Sequence, residues 1–399
     1  MLHEHAVNRS GRRVLLAWEM GEGLGHAARL LAMAERLRDH GWSPVVAARA
    51  PAALAERYAA AGVAVIAAPA HRSCFAGPGR FRAATYADVM GVCGYADEQQ
   101  LAAVVAAWDQ VLMAQRPDVV IADYAPLLSL AAFGRVPVIG VGDGFVTPHG
   151  LPDGCFPSLG DVAPAVWDPA ILLRTAQQVQ AARGLPQPES LPHIIEGVGQ
   201  VVTVPPELDI YGATRPVPAA GPWELPPPPL APPTAPYVFS YLRLQHPLAR
   251  MVLQVLKEIR MPGECYLHGA TEQEVADLKQ AGIRVHPQPP PLREALGRAS
   301  FLIHHGGMGS MEEAALAGRP QLLLPRHLEQ SLNTQRAIAT LPGVFTLRAG
   351  AGIEQLRRRL LPLLQDARPM QAAQMSASRL TARPETAWEA LQRLLTKLA

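Results

Sequence analysis

Two stretches of the chain place polar side chains at offsets that chemistry can use. The first is FLIHHGGMGSMEEAALAGRPQLLLPRHLEQSLNTQRA, residues 301–337. An apolar strand runs into His304 and His305, a glycine-rich turn follows, and a helix opens at Gly309 and Ser310. A second strand, 321–325, leads into a loop carrying Glu329 and Gln330. Strand, flexible turn and helix N-terminus together make an anion site, because unpaired N–H groups point outward and the helix dipole favours negative charge. A histidine before the turn and a carboxylate one helical turn in, Glu313, suit a nucleotide diphosphate with its ribose. The neighbouring Glu312 is expected to face solvent.

The second stretch is MGEGLGHAARLL, residues 20–31. Gly21, Gly23 and Gly25 permit a sharp turn and a close approach to a ligand. His26 follows at a helix N-terminus, where the dipole opposes protonation and favours neutral imidazole, the form a general base needs. Such a base gains from a carboxylate that orients it and stabilises the imidazolium. Asp123 leaves the apolar strand VVIAD at its C-terminal end and is placed for that role. Asp143, in GVGDGF, is its rival, and Asp118 reads as a solvated turn residue.

These residues need a scaffold, and the hydrophobic pattern supplies one. From residue 14 short apolar runs alternate with helical periods: strands at 14–18, 44–49, 63–68, 119–123 and 137–142, with helices near 26–40, 51–61, 97–115 and 125–133. The stretch 71–95 reads as irregular and rich in glycine and aromatics. Residues 205–236 are proline-rich, which excludes helix and central strand and suggests an extended, ordered crossover anchored by Leu208, Ile210, Tyr211 and Trp223. The alternation restarts at 237–242 and continues through helices at 246–260 and 271–281 and strands at 264–269 and 283–287. The last segment, about 383–398, is an amphipathic helix. Such alternation implies parallel sheets covered on both faces.

Bulk properties narrow the class. At 399 residues the chain can hold two domains, and 49% hydrophobic with 18% charged residues suits globular cores. A net charge of +2, with no clustered basic face, argues against nucleic acid. Arg357, Arg358 and Arg359 read as a solvated helix face. Cys74, Cys93, Cys155 and Cys265 form no CxxC pair or metal spacing and read as reduced thiols. No apolar run reaches 18 residues and no secretory h-region is visible, so a cytoplasmic protein without stable membrane insertion is expected.

The order H-G-G-x-G-S-x-x-E, then G-x-P, P and E-Q-x-x-N, resembles the donor signature of family 1 glycosyltransferases, the UDP-glycosyltransferase superfamily, in its bacterial macrolide and flavonoid branch. The resemblance implies an α/β protein of GT-B fold: two Rossmann-like domains facing across a cleft, with a C-terminal helix. The domains expected are 1–210 for the acceptor, a linker at 211–236, and 237–399 for the donor, with the last helix packing back on the first domain. It implies His305 and Ser310 on the diphosphate, with Gly306, Gly307 and Gly309 letting the backbone approach, Glu313 and Gln288 on the ribose, and Glu329 with Gln330 on the sugar. It nominates His26 as the base, paired with Asp123, for direct attack of an acceptor hydroxyl on the anomeric carbon. No metal or cofactor is implied; the co-substrate is a UDP- or dTDP-sugar, and the other partner is a small-molecule or lipid hydroxyl acceptor.

The chain departs from that pattern in places. The family's base-stacking aromatic is replaced by Val285, and the Gly-Ser that ends the first strand of the donor domain is missing from FSYLRL, where only Ser240 substitutes. Phe75, Phe81, Tyr86 and Tyr95, with Gly25, Asp143 and Phe145, are candidates for the acceptor side. GLGHAAR also matches the G-x-G-H-x-x-R loop of a GT-B-like nucleotide-sugar hydrolase. A non-catalytic sugar-nucleotide-binding protein is the third reading.

Overall fold

The computed structural model describes residues 11–21, 25–77, 81–160, 164–347, 350, 352–383 and 385–398. Gly23, one of the glycines of the first turn, lies outside the described residues. Two compact units form: residues up to Val202 with those from Ala390 on, and Thr203–Glu389.

The first unit holds strands β1 (Arg13–Trp18), β2 (Ser43–Ala48), β3 (Ala64–Ala67), β4 (Val119–Asp123), β5 (Val138–Gly142) and β6 (Gly199–Val202). All pair in parallel, in the order β3-β2-β1-β4-β5-β6. Strands β4 and β5 are buried along their whole length, so their continuous apolar runs are what a doubly covered sheet requires. The covering helices are α1 (Gly25–Asp39), α2 (Pro51–Ala60), α3 (Tyr86–Met90), α4 (Glu98–Gln115), α5 (Pro126–Ala132), α6 (Pro169–Ala182) and α7 (Leu191–Glu196).

The second unit repeats the plan with β7 (Val238–Arg243), β8 (Gly263–His268), β9 (Ile283–His286), β10 (Phe301–His304), β11 (Gln321–Leu323) and β12 (Val344–Thr346). Their order, β12-β11-β10-β7-β8-β9, is the first sheet's order read from the other edge. Its helices are α8 (Pro247–Glu258), α9 (Glu272–Gln280), α10 (Leu292–Arg298), α11 (Met308–Leu316), α12 (Leu328–Thr340), α13 (Ile353–Gln365) and α14 (Arg368–Thr381). Helix α15 (Ala387–Lys397) ends in residues that belong to the first unit. Among the described residues no helix is long and apolar enough to cross a membrane. In both sheets the strand order reverses beside the first strand, which opens a crevice at the carboxyl ends of β1 and β4, and of β7 and β10.

Three expectations are corrected here. The stretch 71–95 is helical from Tyr86: Thr85 accepts from Ala87 N–H at 3.2 Å to start α3, and a π-helical turn, Gly91–Tyr95, continues it. The buried Asp88 holds this region, accepting from the N–H groups of Ala84 (2.8 Å), Val166 (2.8 Å) and Trp167 (3.2 Å). Glu329 and Gln330 lie in the first turn of α12 rather than in a loop, where the helix dipole favours Glu329. The proline-rich segment is ordered as expected, with Leu208 and Tyr211 buried, but it groups with the second unit, so the boundary falls at 202/203 and not at 210/211. Arg319, 1% exposed, fastens it: its guanidinium donates to Leu230 O at 3.1 Å, Ala231 O at 2.6 Å and Leu296 O at 2.9 Å. Burial, helped by Arg293, lowers Arg319 to about 10, so it stays charged at neutral pH. Charged hydrogen bonds of this kind contribute roughly 1.5–3 kcal/mol each. Arg336 adds bonds of 3.0 Å to the carbonyls of Pro206 and Glu207.

Candidate active site

At the first unit's strand-order reversal, the loop after β1 meets the end of β4. Met20 N–H donates to Tyr124 O at 3.2 Å across the gap. Glu19 is buried and accepts from Leu127 and Leu128 N–H at 2.9 and 2.7 Å, which pins the loop to the start of α5. Burial pushes its carboxyl to about 8 against the pull of those two donors. Gly21 has φ +86, and a Cβ there would stand 3.1 Å from His26 Nε2, so a side chain at this position would press on the imidazole. Tyr124 also has φ near +55, a costly conformation for a residue with a Cβ, and it turns the chain immediately after Asp123.

His26, in the first turn of α1, sets Nδ1 2.9 Å from Asp123 Oδ1. Its ring stacks on Trp18 (centroids 5.3 Å, planes 15° apart) and lies 6.1 Å from the ring of Tyr124. Asp123 is fully buried. Burial alone would raise its pKa, but Arg29 and then His26 outweigh it, so the carboxyl lies below its ordinary 3.8. With Nδ1–H donated to this carboxylate, the free lone pair belongs to Nε2, which has no hydrogen-bond partner among the described residues. Asp143, just past β5, is buried too and accepts from Val146 N–H at 3.3 Å. Burial raises its carboxyl, with Arg29 and His26 opposing.

The second unit's reversal is built differently. His305 follows β10; its Nδ1 donates to Leu324 O at 2.8 Å and its Nε2 accepts Arg243 N–H at 2.7 Å. Burial lowers His305 to about 4, and His304, bonded to Gln321 Oε1 at 2.9 Å, also falls to about 4 through burial. Gly306 has φ +78, and a Cβ would stand 2.8 Å from Thr334 Oγ1, so only glycine fits the turn without displacement. Gly307 precedes α11 and offers no side-chain cap, so the first N–H groups of that helix are left for another acceptor. Behind the turn, Asn333 and Thr334 are buried, and their side-chain polar atoms have no partner among the described residues. Ser310 is half-buried and Gly309 exposed at the helix start. Glu313 bonds Arg293 Nη1 at 3.1 Å, and Gln330 Oε1 accepts Arg326 N–H at 3.0 Å.

Other expected site residues are placed less favourably. Ser240 is 1% exposed in the middle of β7, paired between Ile303 and Cys265, and stops short of the crevice. Tyr95 is wholly buried with its hydroxyl on Pro126 O at 2.8 Å, so it belongs to the core. Phe145 packs edge-on against Tyr86 and Tyr124, and Phe81 lies between Phe75 and Trp167. Gly25 opens α1 and is exposed. Val285 is half-buried in β9, and Gln288 is exposed just beyond it. Glu312 is half-buried, with Oε1 shielded from water rather than facing it.

Residues 265–396 match the family model of the C-terminal domain of erythromycin biosynthesis protein CIII-like proteins. That match covers the C-terminal third of the chain, and the fold of the two sheets is GT-B. Solved structures agree on the fold at low identity. The glycosyltransferase of kitacinnamycin superposes with TM-score 0.68 at 17% identity, covering 98% of this chain and 100% of that one. Glycosyltransferase VinC, solved in complex with dTDP, gives 0.68 at 18%, covering 97% and 99%. Spinosyn rhamnosyltransferase SpnG, complexed with spinosyn aglycone, gives 0.59 at 20%, covering 96% and 100%. No curated protein matches the chain in sequence.

Within this GT-B chain two residues escaped the sequence reading. Arg29 joins His26 at Asp123, and its i+3 spacing from His26 placed both on one face of α1. Arg243, half-buried at the very end of β7, has no hydrogen bond or ion pair to its guanidinium among the described residues. It occupies the strand end where Ser240 was expected.

Proposed function

We propose that this protein is an inverting glycosyltransferase that moves a sugar from a nucleotide-diphosphate sugar to a hydroxyl of a small apolar or lipid-like acceptor. The observation that carries this reading is the His26–Asp123 contact of 2.9 Å, with no partner for Nε2 among the described residues. His26 Nε2 takes the acceptor proton, the acceptor oxygen attacks the anomeric carbon from the face opposite the diphosphate, and the nucleotide diphosphate leaves. Asp123 holds the imidazole in the Nδ1–H tautomer and balances the imidazolium that forms. In the second unit the α11 N-terminus, Gly306, Gly307, Ser310 and Arg243 form the anion cradle, with Glu313 and Gln288 for the ribose and Glu329 and Gln330 for the sugar. No metal takes part in this scheme; dipole and guanidinium stabilise the leaving diphosphate.

The dTDP bound to VinC and the aglycone bound to SpnG support a dTDP-sugar and a preformed hydroxyl acceptor as the first substrates to try. Nucleotide release is measured with UDP- and dTDP-sugars, with and without phenolic, sterol and lipid alcohols. Release that stays near background until an alcohol is added is the expected result. Fast release in water alone, yielding free sugar and indifferent to alcohols, would favour the hydrolase instead.

A further inference from the structure

The His26–Asp123 pair has a third member. Arg29 Nε donates to Asp123 Oδ2 at 3.0 Å, and Nη2 lies 2.7 Å from both Oδ1 and Oδ2. The same Nη2 stands 3.1 Å from His26 Nδ1. Since Nδ1 carries its proton toward Asp123, that last approach joins two donors: a fixed positive charge is pressed against the imidazole. The carboxylate is thus held by a planar fork on one side and the ring on the other.

The charge count shows what this does. His26 faces Arg29 from its own helix, Asp123 and Tyr124 from the end of β4, and Asp143 from the end of β5. Arg49, from the end of β2, donates to Gly21 O at 2.7 Å beside it, and Trp18 of β1 covers one ring face. Asp123 is the carboxylate held ionised, and the Arg29 guanidinium offsets its charge where the imidazole meets it. We infer that Arg29 is a positioning residue for His26: its fork fixes the carboxylate that orients the ring, and its charge limits how firmly the ring holds a proton. A base that must be neutral before each turnover gains from that limit, because an uncompensated carboxylate favours the charged form of its neighbour. The inference rests on His26 being the base.

The test uses the full-length chain labelled with ¹³C-histidine, titrated by NMR with neither donor nor acceptor, the His26 signal assigned by its loss in His26→Ala. Arg29→Met should move the His26 midpoint up by about one pH unit or more. Arg29→Gln, which keeps donors to Asp123 without charge, should move it the same way and serves if the Met variant does not fold. Arg29→Lys should leave the midpoint near that of the native chain and lower kcat, because the fork is lost. In Arg29→Gln the acid limb of the rate–pH profile should follow the NMR midpoint to higher pH. An unchanged or lowered midpoint in folded Arg29→Gln overturns the inference, as does Arg29→Lys titrating like Arg29→Gln. The functional reading fails by another route, through full turnover in His26→Ala, which leaves the NMR comparison intact.

Discussion

In the first unit the histidine at the strand-order reversal meets a carboxylate; in the second it meets a backbone amide. Both units use one strand order, and each brings together the ends of the same two strand positions, β1 with β4 and β7 with β10. His26 is tied to buried Asp123, and its Nε2 has no partner among the described residues. His305 spends both nitrogens on Leu324 O and Arg243 N–H and is held neutral. The scaffold fixes where a histidine stands, and its partner decides whether it can move protons. A carboxylate partner suits the acid–base role proposed for His26, whereas two backbone partners make His305 a strut for the neighbouring turn.

The largest break in this comparison should come from His26→Ala. Loss of a general base typically costs about 10²–10⁴-fold in rate. We expect a fall of that order with nucleotide affinity by calorimetry nearly unchanged; retention of most turnover would remove His26 from the mechanism. Arg243→Ala should do the converse, weakening nucleotide binding about 10- to 150-fold with kcat at saturating donor little changed. An unaltered dissociation constant would show that the end of β7 does not touch the diphosphate. Glu329→Ala should act more narrowly still, altering donor choice or rate while sparing bare nucleotide diphosphate. Equal losses for diphosphate and for sugar nucleotide would move Glu329 away from the sugar.

The smallest effect concerns stability. His304 and His305 titrate at about 4 when folded and at their ordinary 6.5 when unfolded, so the unfolded chain binds more protons between those values. Their contribution is complete above about pH 6.5 and is lost as pH falls toward 4. Asp123 lies below its ordinary 3.8, so its contribution persists through that window and fails only at lower pH. Glu19 runs the other way, its carboxyl at about 8 when folded and at its ordinary 4.5 when unfolded, so the decisive comparison is between chains: the loss of urea midpoint from pH 6.5 to 4 should be smaller in His304→Gln than in the native chain. The same pH dependence in the native chain and in His304→Gln would contradict the burial-held neutrality of His304.

Much of this was legible from local pattern. Strands such as VVIAD announce themselves by continuous apolar runs, and the glycine turns stand at their carboxyl ends. His26 and Asp123 could each be placed by local rules, although 97 residues separate them. What escaped depended on contacts remote in sequence. Helix α12 buries Asn333 and Thr334 along with Leu332 and Ala337, so its inner face does not look apolar. Region 86–95 carries Gly91 and Gly94, poor helix formers, and its order comes from Asp88 reaching residues 78 and 79 positions away. The proline-rich stretch resembles a linker until Arg319 reaches it from 88 and 89 positions away. Arg243 was hidden because pattern places a strand's end only to within a few residues.

The return of the last residues to the first unit bears on how the chain is made. Leu394 lies against Gly199 at the start of β6, close enough that a Cβ there would sit 2.9 Å from its Cδ2, and Arg12 donates to Leu398 O at 2.7 Å. A ribosome delivers β1 before every strand of the second unit and Leu398 after all of them. The unit begun first is therefore sealed last, after the whole of the other has been synthesised. Until α15 is made, the surface around Gly199 waits uncovered, and a chain stopped before Ala387 would carry it so permanently.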